Sequence, residues 1–171
     1  GKEPGDSAPE SKGLAASARP GNHHFAHYEV EIGPDGTPVK LGHGAMGVTY
    51  KARDTQLLRP VALKVIASRL LENESLKTRF VREARAAASL RHPNIASVFY
   101  LGSTQSSYFY VMELVEGKTV EDLIAVRHPP DVNLALEIAT QVASALAAAH
   151  QAGLVHRDIK PANLFLENTG A

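Results

Sequence analysis

Up to about residue 112 the large apolar residues of this chain fall in short alternating runs, and beyond residue 131 they recur every fourth residue. Strand-type runs followed by helix-type runs predict an α+β fold, with a sheet lobe first and a helical layer after it. YEVEI, residues 28–32, alternates apolar and polar positions; GPDG supplies a turn, and VKLGHG, residues 39–44, reads as the second arm of a hairpin. GVTYKARD (47–54) and PVALKVI (60–66) continue an antiparallel meander across a polar loop. Further strands are expected in ASVFYLGS (96–103) and SSYFYVMELV (106–115), joined by a polar turn around Gln105. Between these groups a helix is predicted over about 75–90, capped by Asn73 or Ser75 and ended before His92-Pro93-Asn94, because proline disfavours helix in the residue before it. Five strands and one helix make a small lobe.

After Gly117 the pattern turns helical. TVEDLIAV (119–126) predicts a short helix and DVNLALEIATQVASALAAAHQAG (131–153) a long one, with Leu134, Ile138, Val142 and Leu146 on one face and Gly153 in the C-cap place. The alanines at 143–149 read as close helix packing. The first 24 residues are rich in Gly, Pro, Ser and charge and have too little apolar surface to offset the entropy of ordering them. Residues 1–27 are therefore expected to be a disordered leader, and 28–171 a domain whose small lobe covers about 28–116 and whose helical part covers about 117–171. His23 and His24 are adjacent, but no third ligand stands at a useful spacing.

Eighteen basic and eighteen acidic residues cancel, which argues against a general attraction to nucleic acid or anionic membranes. The absence of cysteine excludes disulfides and thiolate metal sites and fits a cytoplasmic location. No apolar run reaches the roughly 18 residues of a spanning helix, so the expectation is a soluble chain without a membrane segment.

Three local patterns carry chemistry. Gly42, Gly44 and Gly47 form G-x-G-x-x-G in LGHGAMGVTYKA. In a dinucleotide-binding fold such glycines open a helix; here they run into β-branched and aromatic residues, as in a strand-turn-strand flap whose bare backbone can close over phosphates. Lys64, in VALKVI, stands where an ammonium can reach those phosphates from beneath, and Glu83, in RFVREARAAASLRH, can pair with it from the helix. HRDIKPAN, His156 to Asn163, lies between the long helix and the apolar run LFLE.

In this order, the glycine loop, lysine, glutamate and HRDIKPAN resemble the protein kinase family, and residues from about 28 to 171 share the likeness. The resemblance implies a bilobal kinase fold, ATP and Mg2+ as cofactors, and a protein substrate accepting phosphate on Ser or Thr. Asp158 then matches the catalytic base, Lys160 the lysine that meets the γ-phosphate in serine/threonine kinases, and Asn163 a magnesium ligand. His156 and Arg157 match structural residues, Arg157 as partner of a phosphorylated activation loop. Lys64 and Glu83 match the ion pair of the small lobe. The nucleotide site maps onto Leu41, Gly42, His43, Gly44, Ala45, Met46, Gly47, Val48, Thr49 and Ala62 above, and Phe165 below. Met112 matches the gatekeeper, with the backbone of Glu113 and Val115 at the adenine edge.

Two departures stand out. Thr49 replaces the usual valine, adding a hydroxyl where the adenine packs. The sequence also ends at Ala171, before any D-F-G aspartate, so phosphoryl transfer by these 171 residues alone is not expected, and a non-catalytic ATP-binding or docking module is the rival reading. The style of GAMG and HRDIKPAN resembles bacterial members, in which a membrane anchor can lie beyond the kinase domain.

Overall fold

The structure, a computed structural model, describes residues 24–44, 47–66, 74–104, 107–126 and 131–167, without the side chains of Leu76, Arg79 and Glu83. The leader up to residue 23, the candidate cap Asn73 and the turn at Gln105 lie outside the described residues.

The first body is an antiparallel sheet. Its strands are β1 (His24–Phe25), β2 (Tyr28–Val30), β3 (Lys40–Gly44), β4 (Gly47–Asp54), β5 (Arg59–Ile66), β6 (Val98–Ser103) and β7 (Tyr108–Met112). The order across it is β1-β2-β4-β5-β7-β6, with β3 also paired to β4. The six runs read as strands are all present, as β2 to β7, one more than the five counted for the small lobe, with the two-residue β1 added at the edge.

YEVEI and VKLGHG do not pair mainly with each other, as the hairpin reading expected. They lie end to end along β4: Tyr28, Glu29 and Val30 face Asp54, Arg53 and Ala52, while Lys40, Gly42, His43 and Gly44 face Tyr50, Thr49, Val48 and Gly47. Between them the chain makes a small excursion closed by an Ile32–Pro38 bridge and by Val39 N–H donating to the Glu31 carbonyl at 2.9 Å. The reason is burial, since Tyr28 and Val30 are each 4% exposed in this register, and an apolar side chain placed so contributes on the order of 1.5–3 kcal/mol.

Alternate residues of the central strands fill one face. Tyr50 and Ala52 of β4, Val61 and Leu63 of β5, and Phe109 and Val111 of β7 form a core with Phe25, Tyr28 and Val30. Phe25 corrects the leader boundary: it is buried against Phe109, with ring centroids 5.1 Å apart, so residues 24–27 belong to the sheet. Asp54 is the one buried charged residue among those described, and its carboxylate accepts the N–H groups of Gln56 and Leu57 at 3.0 and 2.9 Å, closing the β4–β5 turn.

Helix α1 (Glu74–Ser89) crosses the other face and packs on β6. It starts at Glu74, so Ser75 lies within it and is not its cap. Beyond the sheet come β8 (Gly117–Thr119), α2 (Val120–Val126), α3 (Val132–Gln151), a 3-10 turn (Pro161–Asn163) and β9 (Phe165–Glu167), with β8 and β9 paired antiparallel. Thr119 and Asp122 form a capping box for α2: Asp122 N–H donates to Thr119 Oγ1 and Thr119 N–H to Asp122 Oδ2, both at 3.0 Å. Helix α3 ends as Gly153 suggested. With φ at 73°, Gly153 donates to the His150 carbonyl and Leu154 to that of Ala149, the paired bonds of a Schellman cap.

By length and composition α3 is apolar enough to cross a membrane, which corrects the expectation that no segment reaches that threshold. Its polar residues are engaged with the sheet body: Asn94 donates to Gln141 at 2.8 Å and His92 Nε2 lies 3.1 Å from the Ser144 hydroxyl. These bonds tie the loop after α1 to the middle of α3.

Candidate active site

One rung of the sheet sets the upper wall of the site. Gly42, Thr49, Lys64, Tyr110 and Leu101 are cross-strand partners in sequence from β3 to β6. Direct partners in a ladder point to the same face, and so do residues two apart on one strand. Thr49, Ala62, Lys64, Tyr110 and Met112 therefore share a face, opposite to the packed core, and Ala62 is itself opposite Met112. Val48 falls on the core face, packed against that cluster, so it does not join Thr49 on the site face.

The three glycines divide by function. A Cβ on Gly47 would stand 1.9 Å from the Val65 carbonyl oxygen, and φ there is +145°, so β4 can lie against β5 only with glycine at this place. Around Gly42 and Gly44 nothing among the described residues lies within 4 Å of such a Cβ. Packing does not demand glycine there, which leaves a bare backbone open to a phosphate-bearing ligand. Leu41 and His43 on β3 are likewise exposed, whereas Ala45 and Met46 lie outside the described residues.

Lys64 is half-buried on β5, and its ammonium stands 5.8 Å from the centroid of the Tyr110 ring. Glu83 lies on α1, but its side chain is outside the described residues, so its ion pair with Lys64 belongs to the proposal below. After β7 the Glu113 N–H donates to the Ser97 carbonyl at 2.9 Å and its carboxylate accepts from Ser97 N–H at 3.0 Å. Among the described residues no backbone hydrogen bond joins the Glu113 carbonyl or the backbone of Val115 to another residue.

The second cluster lies after α3. Asp158 N–H donates to His156 Nδ1 at 3.3 Å, and Arg157 between them has φ +66°, a left-handed conformation that is uncommon for a long side chain. Lys160 Nζ lies 3.0 Å from Asp158 Oδ2, and the Asn163 amide donates both to the Asp158 carbonyl at 2.8 Å and to Oδ2 at 3.0 Å. The contact with Lys160, then that with Asn163, holds the Asp158 carboxyl below the usual carboxylate range. The carboxylate is exposed and ionised, with its amide and ammonium neighbours fixing its direction. Phe165 on β9 is 51% exposed and Leu41 on β3 is 46% exposed, so both keep apolar surface accessible.

The sequence profile of the family described as protein kinase domain matches residues 37–171. This chain belongs to the protein kinase domain family. Among curated relatives, the kinase domain is 42% identical over 130 residues to the serine/threonine-protein kinase PrkC of Bacillus subtilis, covering 76% of this chain and 20% of PrkC. It is 41% identical over 132 residues to PknL of Mycobacterium tuberculosis, covering 77% of this chain and 33% of PknL. The crystal structure of the Mycobacterium tuberculosis PknI kinase domain matches it with a TM-score of 0.71 at 36% identity, over 84% of this chain and 57% of that one. The kinase domain thus spans between a fifth and a third of these two curated relatives, and its expected α+β, bilobal kinase fold is the fold observed.

Two residues of the site went unread in the sequence. Gly117 permits the β8–β9 pair, since a Cβ there would meet the Leu166 carbonyl oxygen at 2.0 Å. The signal was a glycine two residues before the T-x-x-D box of α2. Tyr110 was read only as strand filling, because its place beside Lys64 depends on register between strands far apart in sequence.

For the nucleotide, the open backbone at Gly42 and Gly44 and the Lys64 ammonium on the same rung fit a phosphate chain. For magnesium, the oxygen donors at hand are those of Asp158 and Asn163, and no group of three or more His, Cys, Asp or Glu converges among the described residues.

Proposed function

We propose that this kinase domain serves to transfer the γ-phosphoryl group of ATP to serine or threonine hydroxyls of a protein substrate. The observation that supports this most directly is the Asp158 carboxylate, exposed and oriented by both Lys160 and Asn163. In this reading Asp158 accepts the proton of the acceptor hydroxyl as its oxygen bonds to the γ-phosphorus and the bond to the β-phosphate bridge breaks. Lys160 brings a cation to the transferred group, and its presence two residues after Asp158 favours hydroxyls of Ser and Thr. Lys64, paired with Glu83, orients the α- and β-phosphates under the flap of Gly42, Gly44 and Gly47. Adenine lies between Ala62, Thr49 and Leu41 above and Phe165 below, against Met112, with its edge bonded to the backbone of Glu113 and Val115. Mg2+ would be held in part by Asn163 and would neutralise phosphate charge.

The 171 residues contain no D-F-G aspartate, so this polypeptide by itself is expected to bind nucleotide weakly and to transfer no phosphate. Transfer to a generic protein substrate that disappears in Asp158→Asn would overturn that expectation. The rival reading is a non-catalytic nucleotide-binding or docking module. The intact mass in the source cells, read with an antibody to residues 1–23, separates the two. A much larger species supports the kinase; a stable species of this length, binding MgATP without turnover, supports the module.

A further inference from the structure

The face of β7 that looks toward α1 is aromatic. Tyr108 and Tyr110 are two residues apart on that strand and so share a face, while Phe109 between them is buried in the core. Each tyrosine meets a cation and is met by α1. Lys77 of α1 places its ammonium 5.7 Å from the Tyr108 centroid, and Phe80, one turn on, lies 6.1 Å from Tyr110 at an interplanar angle of 33°. Lys64, the direct cross-strand partner of Tyr110, sets its ammonium 5.8 Å from the same ring. Tyr110 thus neighbours both the helix, through Phe80, and Lys64.

Resting on the nucleotide-site reading above, we propose that Tyr110 is a positioning residue for the Lys64 ammonium, and that Phe80 braces its ring so that the seating of α1 governs where that ammonium points. A lysine stem has four rotatable bonds and no intrinsic direction, so a phosphate-binding lysine must be held by its surroundings. A ring face within about 6 Å attracts the charged end without competing for the ammonium's hydrogens, which remain free for phosphate oxygens. A carboxylate on α1 and a ring on β7 then act on the same ammonium. An aliphatic residue in this place would fill the volume and leave the ammonium without that restraint.

A ring beneath a half-exposed cation is worth roughly two- to fivefold in occupancy. ADP affinity of the 171-residue chain, measured by calorimetry, should fall by about that factor in Tyr110→Leu and recover in Tyr110→Phe, with thermal unfolding followed in parallel to exclude loss of fold. In a Lys64→Met background Tyr110→Leu should have no further effect, because Tyr110 works through the ammonium. An equal loss in both backgrounds would mean that Tyr110 only packs, and would overturn the proposal. The ring contact has a readout independent of nucleotide. The Lys64 ε-methylene protons should resonate upfield of those of the other lysines, lose the displacement in Tyr110→Leu and keep it in Tyr110→Phe. Failure of the unmodified chain to bind ADP would count against the nucleotide-site reading, with the methylene shift still deciding the contact. An unchanged shift in Tyr110→Leu would dismiss the contact whatever the nucleotide does.

Discussion

Gly47 passes so close to Val65 that a single carbon on it would collide with the Val65 carbonyl oxygen at 1.9 Å, whereas Gly44, three residues earlier, faces open space. One glycine of the flap is thus held by the protein's own packing and the other is free of it. Gly47→Ala, which also meets an unfavourable φ of +145°, is expected to destabilise the chain by roughly 2–4 kcal/mol. Gly44→Ala should leave stability within about 1 kcal/mol and act on nucleotide affinity instead. Urea unfolding and ADP titration of both variants check this, and equal unfolding midpoints would contradict it.

The Asp158 carboxyl is held down chiefly by its contact with Lys160 and next by that with Asn163. Its folded value is depressed, so the interaction is fully present above the ordinary carboxylate value of about 3.9 and is lost as pH falls through the folded midpoint. A carboxyl carbon titration should therefore show Asp158 ionising below the ordinary carboxylate value, and Lys160→Met should raise its midpoint. A midpoint unmoved by that substitution would show the contact to be too fleeting to matter.

Much of this was readable because it is local. The period-two runs of β4 and β5, the glycine that ends α3 and the string from His156 to Asn163 are each encoded in a few consecutive residues. What was not readable depends on register. Nothing in YEVEI or VKLGHG says that both lie along β4, since either arm carries enough alternation for a hairpin. The choice is made by Ala52 and Tyr50, which offer Val30 and its neighbours a buried partner. Strands β8 and β9, three residues each, are too short to show a period, and their pairing is permitted by Gly117 against the Leu166 backbone. Tyr110 beside Lys64 is a relation between positions 46 apart in sequence, visible only once β5 and β7 are in register.

The reciprocal bonds between Thr119 and Asp122 start α2 directly after β8, and Thr119 is also the partner of Phe165. Asp122→Ala removes an acceptor for two donors of Thr119, one at 3.0 Å and the hydroxyl at 2.6 Å. A cap of this kind contributes about 0.5–2 kcal/mol. The expected loss of stability is of that size, with faster amide exchange confined to the first turn of α2 and to β8. Exchange that rises evenly through the chain would place the role of Asp122 elsewhere.

Phe25 tests where the folded lobe begins. It lies before the 37–171 stretch that matches the kinase family, yet it is 7% exposed, and its ring meets Phe109 edge-on at 5.1 Å within the core that also holds Leu63 and Val111. Its neighbour His24 is on the surface, with its Nε2 3.7 Å from Glu29 Oε1 and the two side chains 66% and 52% exposed. Truncating a buried phenylalanine removes its transfer energy and leaves a cavity, so Phe25→Ala should cost about 3 kcal/mol, while His24→Ala should stay within about 0.5 kcal/mol. Because Tyr28 and Val30 hold β2 against the same core, the loss at Phe25 should spread along β2, with amide protection falling at Glu31, whose N–H donates to the Lys51 carbonyl. Similar unfolding midpoints for the two variants would return residues 24–27 to the leader and leave the lobe beginning at Tyr28.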